Sequence, residues 1–264
     1  MKRKNTFYRR LAFGAAAVIG AALFVAAGRI AGNPLIKFYL EKKTEDYLHT
    51  EYPQHSLEIT KAVYSGSDMF SFCFTVQDAS VRDIEFEVSW HNGGREISDN
   101  YPHRVGNMKN TYNRLSNALA EDISSMLAGN PVFDGISIGA AYGDWGQEVF
   151  TGYPESSGVY PDMPYSREDI NVPVTVYLSG NDLPADTDFA AAVDMAQRAR
   201  EIMEQNGITA EYISLALNVA SESGNYYCQK GGKIHRSELY SQNLAQRLYT
   251  AHLPECKRCA EKAS

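Results

Sequence analysis

Cys256-Lys257-Arg258-Cys259 is the sharpest chemical signal in the chain, because two thiols at this spacing can share a metal ion or cycle as a redox pair. A structural zinc site needs further ligands at matching spacing. No second CxxC and no spaced His pair supplies them, and only His252 lies close by. A thioredoxin-type pair opens a helix behind a strand, whereas this one trails the last helical pattern amid Lys and Arg. The pair reads first as a disulfide in an exterior tail, with thiol-redox or metal chemistry as the alternative. Cys73 and Cys228 sit apart, in strand-like runs.

The other chemistry-bearing residues form no constellation. His49, His55, His91, His103, His235 and His252 include no metal-binding i, i+4 pair, and HExxH, GxSxG, GxGxxG and the Walker A pattern are absent. Gly143-Asp144-Trp145-Gly146 suggests a carbohydrate-stacking Trp beside a carboxylate, but a Trp in a glycine turn reads first as a packing plug. Asp182, Asp186 and Asp188 gather near one turn without the EF-hand order or its closing Glu, and read as a turn and helix cap. No catalytic, cofactor-binding or metal-binding residue is assigned beyond the thiol pair Cys256 and Cys259, and no cofactor is expected.

The charge distribution places the chain. Of the 25 Lys and Arg, five fall in residues 1–10 with no acid, so removing this +5 tip from the net −7 leaves −12 for the remainder. An acidic body argues against nucleic acid as a partner. From Leu11 to Gly28 runs an uncharged, mostly apolar stretch of 18 residues. As a helix it is about 27 Å long, close to the hydrocarbon thickness of a bilayer. The basic flank puts the N-terminus in the cytoplasm and the chain from Arg29 onward outside. A cleaved signal peptide ending at Val25-Ala26-Ala27 is the alternative; the anchor is favoured because the apolar run exceeds a typical signal core.

Beyond the anchor, Pro34 to Pro53 reads as a helix. Leu57 to Tyr64, Met69 to Val76 and Ile84 to Trp90 follow as strands with a clean period of two. Tyr101, Val105, Met108, Tyr112, Leu115 and Leu119 form one stripe, predicting a long helix to about Leu127 that lies on this sheet. Residues 143–171 are rich in Gly, Pro and Tyr and read as a connector. Then come a strand (Val172 to Leu178), a helix (Thr187 to Asn206, capped by Asp186 and closed by Gly207) and a strand (Glu211 to Val219). A short strand (Asn225 to Gln229), a Lys230-Gly231-Gly232-Lys233 turn and a helix from Arg236 with Tyr240, Leu244 and Leu248 in register complete the chain. The Ser/Gly turns, Cys-bearing strands and Gly-Gly turns recur in both halves, which raises an internal duplication.

The basic tip, the apolar run, Gly32-Asn33-Pro34, Tyr39-Leu40-Glu41, Tyr47-Leu48, Glu51-Tyr52-Pro53 and Asp99-Asn100-Tyr101 together resemble the YfjL-like membrane-anchored proteins of Gram-positive bacteria. The resemblance implies an anchored protein pairing an N-terminal with a C-terminal α+β domain, and implies no catalytic residues. The terminal Cys pair is outside the pattern.

The expected organisation is a basic tip (1–10), a transmembrane anchor (11–31), an α+β module (33–142), a connector (143–171) and a second α+β module with the Cys tail (172–264). Each module is expected to be a short antiparallel sheet packed with helices. The expected function is a non-enzymatic binding or interaction module of the cell envelope. It is held by the lipid bilayer and has a protein partner in the envelope.

Overall fold

The computed structural model describes residues 13–16, 18–20, 33–64, 71–92, 94–143, 158–170, 172–183, 188–220 and 227–248. Residues 13–16 and 18–20 are helical. Most of the expected anchor lies outside the described residues, and among the described ones no helix is long and apolar enough to cross a membrane. The chain divides into two compact units, Met1–Asn107 and Met108–Ser264.

In the first unit helix α1 (Pro34–Glu51) starts where expected. The Asn33 side chain accepts from the Leu35 amide at 2.9 Å, and Pro34 occupies the first turn, where its missing N–H costs nothing. Leu40, Thr44 and Leu48, four apart, form its buried face. They meet a four-stranded antiparallel meander of β1 (Leu57–Tyr64), β2 (Phe72–Asp78), β3 (Glu85–His91) and β4 (Glu96–Asp99) in sequential order. The expected alternation holds: Phe72 pairs with Trp90, Phe74 with Val88 and Val76 with Phe86, and all six are buried. The buried Trp90 indole donates to Thr44 Oγ1 at 2.8 Å, and that hydroxyl donates to Leu40 O, so the ring's one polar atom is satisfied.

The long helix expected through Tyr101 to about Leu127 is broken. Pro102–Gly106 forms a single π-helical turn, Met108 takes a left-handed conformation (φ 56°), and α2 proper is Lys109–Leu127. The apolar stripe divides accordingly. Tyr101 and Val105 pack in the first unit's core, while Tyr112, Leu115 and Leu119 join the second's. Helix α2 thus belongs with the second unit, and the division falls at Asn107 instead of in the 143–171 connector. A three-and-four spacing is blind to such a break, because it records positions along the chain and not the backbone conformation between them.

The second unit is α+β, but its sheet is mixed rather than antiparallel. Strands β5 (Ile136–Tyr142), β6 (Val174–Leu183), β7 (Tyr212–Ala220) and β8 (Tyr227–His235) lie in that order, with β6 and β7 parallel and joined through helix α3 (Phe189–Gln205). A parallel pair requires such a crossover. The first sheet has none, so the two connectivities differ and the duplication that the recurring turns raise is not seen in them. Val176, Leu178, Ile213, Leu215 and Ile234 share a core with α2 and α3. Asp188, not Asp186, caps α3, accepting from the Ala191 amide at 2.8 Å; residue 186 lies outside the described residues. Gly207 closes α3 at φ 81°, as expected. Residues 230–233 form no turn: β8 runs through them, with Gly231 opposite Ala216 and Gly232 opposite Leu215. After β8, Leu244 and Leu248 are buried in a helical stretch as expected, but residues 236–240 form turns instead of the start of that helix, with Leu239 buried and Tyr240 exposed.

Candidate functional site

The carboxyl end of α1 and the start of β1 enclose a hollow of about 340 Å³, lined by Glu41, Glu45, Leu48, His49, His55, Leu57, Glu58 and Ile59. Glu41, Glu45 and His49 recur every four residues, so the helix puts them on one stripe, and Glu58 faces them from the edge strand. Lys42 pairs with Glu45 at 3.2 Å in an exposed bridge.

His55 is the one member of this lining with a built support. Its Nδ1 lies 3.4 Å from Asp78 Oδ2 and its Nε2 2.8 Å from the Tyr101 hydroxyl. The Tyr101 contact is a hydrogen bond, while the Asp78 contact is a longer polar approach that sets the ring beside a buried carboxylate. Asp78 is buried in the turn before β3 and accepts from the Ser56, Ser80 and Val81 amides and from the Ser80 hydroxyl. Burial by itself would raise its pKa, but these hydrogen bonds outweigh burial and hold the carboxyl below its ordinary range. Tyr101 stacks on Tyr52 with ring centroids 4.3 Å apart and meets Phe86 edge-on. The Tyr47 and Tyr52 hydroxyls both donate to Asp99 Oδ2. Burial, then Asp99, pushes the Tyr47 pKa up to about 12 and that of Tyr52 further still.

Asp78, His55 and Tyr101 stand in the order of an acid-base relay. The Tyr101 phenol, however, is pushed upward, by burial first and with a contribution from the Asp78 charge, against a lowering hydrogen bond from Gln54. A phenol held protonated and stacked between rings is a support for His55, not a nucleophile. The arrangement presents three carboxylates and the exposed His49 to a ligand, with His55 held in the wall beside them.

The second unit holds a Glu-His-Ser cluster. His235 Nε2 lies 2.6 Å from Glu211 Oε1 and its Nδ1 2.7 Å from Ser237 Oγ. In an acyl-transfer triad the acid meets Nδ1 and the serine Nε2; here the nitrogens are exchanged. The Ser237 amide also donates to Nδ1 at 3.2 Å, and Arg236 Nε holds the other Glu211 oxygen at 3.3 Å. The cluster is a clasp between the start of β7 and the end of β8. A comparable clasp fixes the described part of the connector. Arg167 grips Asp122 of α2 through two 2.6 Å bonds, Tyr165 donates to the same carboxylate at 2.7 Å, and Met163 and Ile170 are buried in the core. A second hollow, of about 400 Å³, is lined by Asn117, Ala120, Ser137, Ile138, Gly139, Ala140, Tyr177 and Ser179 and carries no carboxylate, imidazole or thiol.

Among residues singled out from the sequence, Cys256, Cys259, His252 and residues 144–146 lie outside the described residues. Cys73 lies in β2 as a free thiol, and Cys228 lies in β8 opposite Val219. Among the described residues no group of His, Cys, Asp and Glu is arranged to hold a metal ion. The helical stripe Glu41, Glu45, His49 was visible in the sequence as a charge pattern. The His55, Asp78 and Tyr101 grouping was not, since it arises only when the loop before β1, the β2–β3 turn and the end of β4 close on one another.

A family model, the YfjL-like N-terminal domain, matches residues 6–101. The chain carries a YfjL-like N-terminal domain. The match bears out the resemblance over this stretch, ending close to where the first unit ends at Asn107, and the YfjL-like domain contains the groove, His55 and its supports. No curated protein and no solved structure matches the chain.

Proposed function

We propose that the chain is a single-pass protein of the bacterial cell envelope, with its N-terminus in the cytoplasm and its two α+β units outside. In this proposal the YfjL-like domain binds a protein partner rather than turning over a substrate. The observation that supports binding is the groove itself: Glu41, Glu45 and Glu58 line one hollow with His49 and with an imidazole braced by Asp78 and Tyr101. Carboxylates of one sign lining a concave site concentrate field there and favour a Lys- or Arg-bearing segment of the partner. The +5 tip and the uncharged run from Leu11 to Gly28 support the anchored topology.

The full chain in nanodiscs, titrated with a fluorescent Lys-rich peptide, tests the reading. The expected result is salt-sensitive binding that weakens about tenfold or more in the Glu41→Gln, Glu45→Gln, Glu58→Gln variant. Binding that is absent, or that survives the triple change, overturns it.

A further inference from the structure

Helix α1 is apolar on opposite sides over its first two turns. Ile36 and Leu40 face the sheet, where Leu40 is 1% exposed and Ile36 packs on the Phe72, Phe74 and Trp90 cluster. On the other side Leu35 is 72% exposed, Phe38 71% and Tyr39 59%. Farther along that outer side the residues turn polar, with Lys42, Glu45, Asp46 and His49 all exposed. Large apolar side chains clustered on one exposed side of a helix mark a contact surface, and the described residues leave this side open.

We propose that the first two turns of α1 lie in the membrane interface, with Leu35, Phe38 and Tyr39 among the lipid headgroups and upper acyl chains. The proposal rests on the anchored reading above and adds that the YfjL-like domain is held against the bilayer by a second contact. The lipid surface is the occupant because of where the patch lies in the chain. The uncharged run ends at Gly28, and at most about 25 Å of extended chain separates Gly28 from Leu35. A patch so tethered meets the bilayer at high effective concentration. Its composition suits that depth, since Tyr favours the headgroup level and the exposed Lys42, one turn beyond Phe38 and Tyr39 on the same side, can extend to phosphates from an apolar stem.

The test uses the full chain with Cys73, Cys228, Cys256 and Cys259 replaced by Ser, carrying an environment-sensitive fluorophore on Phe38→Cys or on Asp46→Cys. Both sites are exposed on the same side of α1, about two turns apart, so both labelled chains are expected to unfold at the same urea concentration as the unlabelled parent. In phosphatidylglycerol–phosphatidylethanolamine vesicles, a lipid-borne quencher is expected to act several-fold more strongly at position 38 than at 46. A chain that sediments with the vesicles but whose two labels are equally open to an aqueous quencher overturns this proposal and leaves the anchor standing. Failure to sediment overturns the anchored reading, and this one with it. Protection at position 38 in detergent that grows with protein concentration also overturns it, by making a second copy the occupant.

Discussion

Asp78 shows how one side chain can hold a site it does not enter. Its carboxylate closes the turn before β3, takes the Ser56 amide ahead of β1 and orients His55, all while buried. Replacing it with Ala strips buried amides of their acceptor, so Asp78→Ala should lower stability by about 3 kcal/mol, read from urea unfolding of the full chain. It should also weaken peptide binding by freeing His55. The turn was legible, because Gln77-Asp78-Ala79-Ser80 carries recognisable turn chemistry. The service to His55 was not, since 23 residues separate the two and no local pattern spans that distance.

Among the elements, the strands of the first unit were the most legible, because a buried face of Phe72, Phe74, Val76, Phe86, Val88 and Trp90 needs alternation and alternation is visible in sequence. Strand β4 and strand β5 escaped. One has four residues, and the other, Ile136–Tyr142, is diluted by Gly139 and Ala140 and owes its place to pairing with β6. Residues 230–233 went the other way: Gly-Gly is good turn chemistry locally, yet β7 offers a full ladder and the tertiary pairing wins. Gly94 is the element-scale test. In the β3–β4 turn it sits at φ 74°, and an added Cβ would meet Leu40 Cδ2 at 2.7 Å. Gly94→Ala thus meets both left-handed strain and a crowded core, and about 2 kcal/mol of lost stability is expected in urea unfolding. A change below about 0.5 kcal/mol, the range of an ordinary surface substitution, would contradict this account.

For the whole molecule, titration predicts a stability profile with two flanks. Asp78 and Asp122 are held below their ordinary 3.8, Asp78 by hydrogen bonds that outweigh its burial and Asp122 chiefly by Arg167. A carboxylate with a lowered folded pKa contributes fully above the unfolded value, and the contribution is lost as pH falls through the folded one. The phenols run the opposite way. Burial and neighbouring carboxylates push Tyr47 and Tyr142 up to about 12, and Tyr52 and Tyr165 further, from an ordinary 10.0. Their contribution is complete below pH 10 and drains away as pH rises beyond it. The urea midpoint should therefore be level near neutrality, decline below about pH 4 and decline again above about pH 10. Tyrosinate absorbance at the alkaline flank should show a late-titrating group of phenols in the folded chain. Phenols that all titrate together near pH 10 would contradict the burial described here.

The sequence by itself determined the α+β class, the first turn of α1, the first three strands of the first sheet and the YfjL-like resemblance. These follow from residue periodicity and local hydrogen-bond chemistry, which act over a few positions along the chain. Only the tertiary structure decided that the Tyr101 to Leu119 stripe serves two cores and that the second sheet contains a parallel pair. It alone assembled His55, Asp78 and Tyr101, and it left Leu35, Phe38 and Tyr39 facing outward. Those outcomes depend on which distant segments pair and bury one another, and burial is a property of the closed fold that no short window of sequence contains.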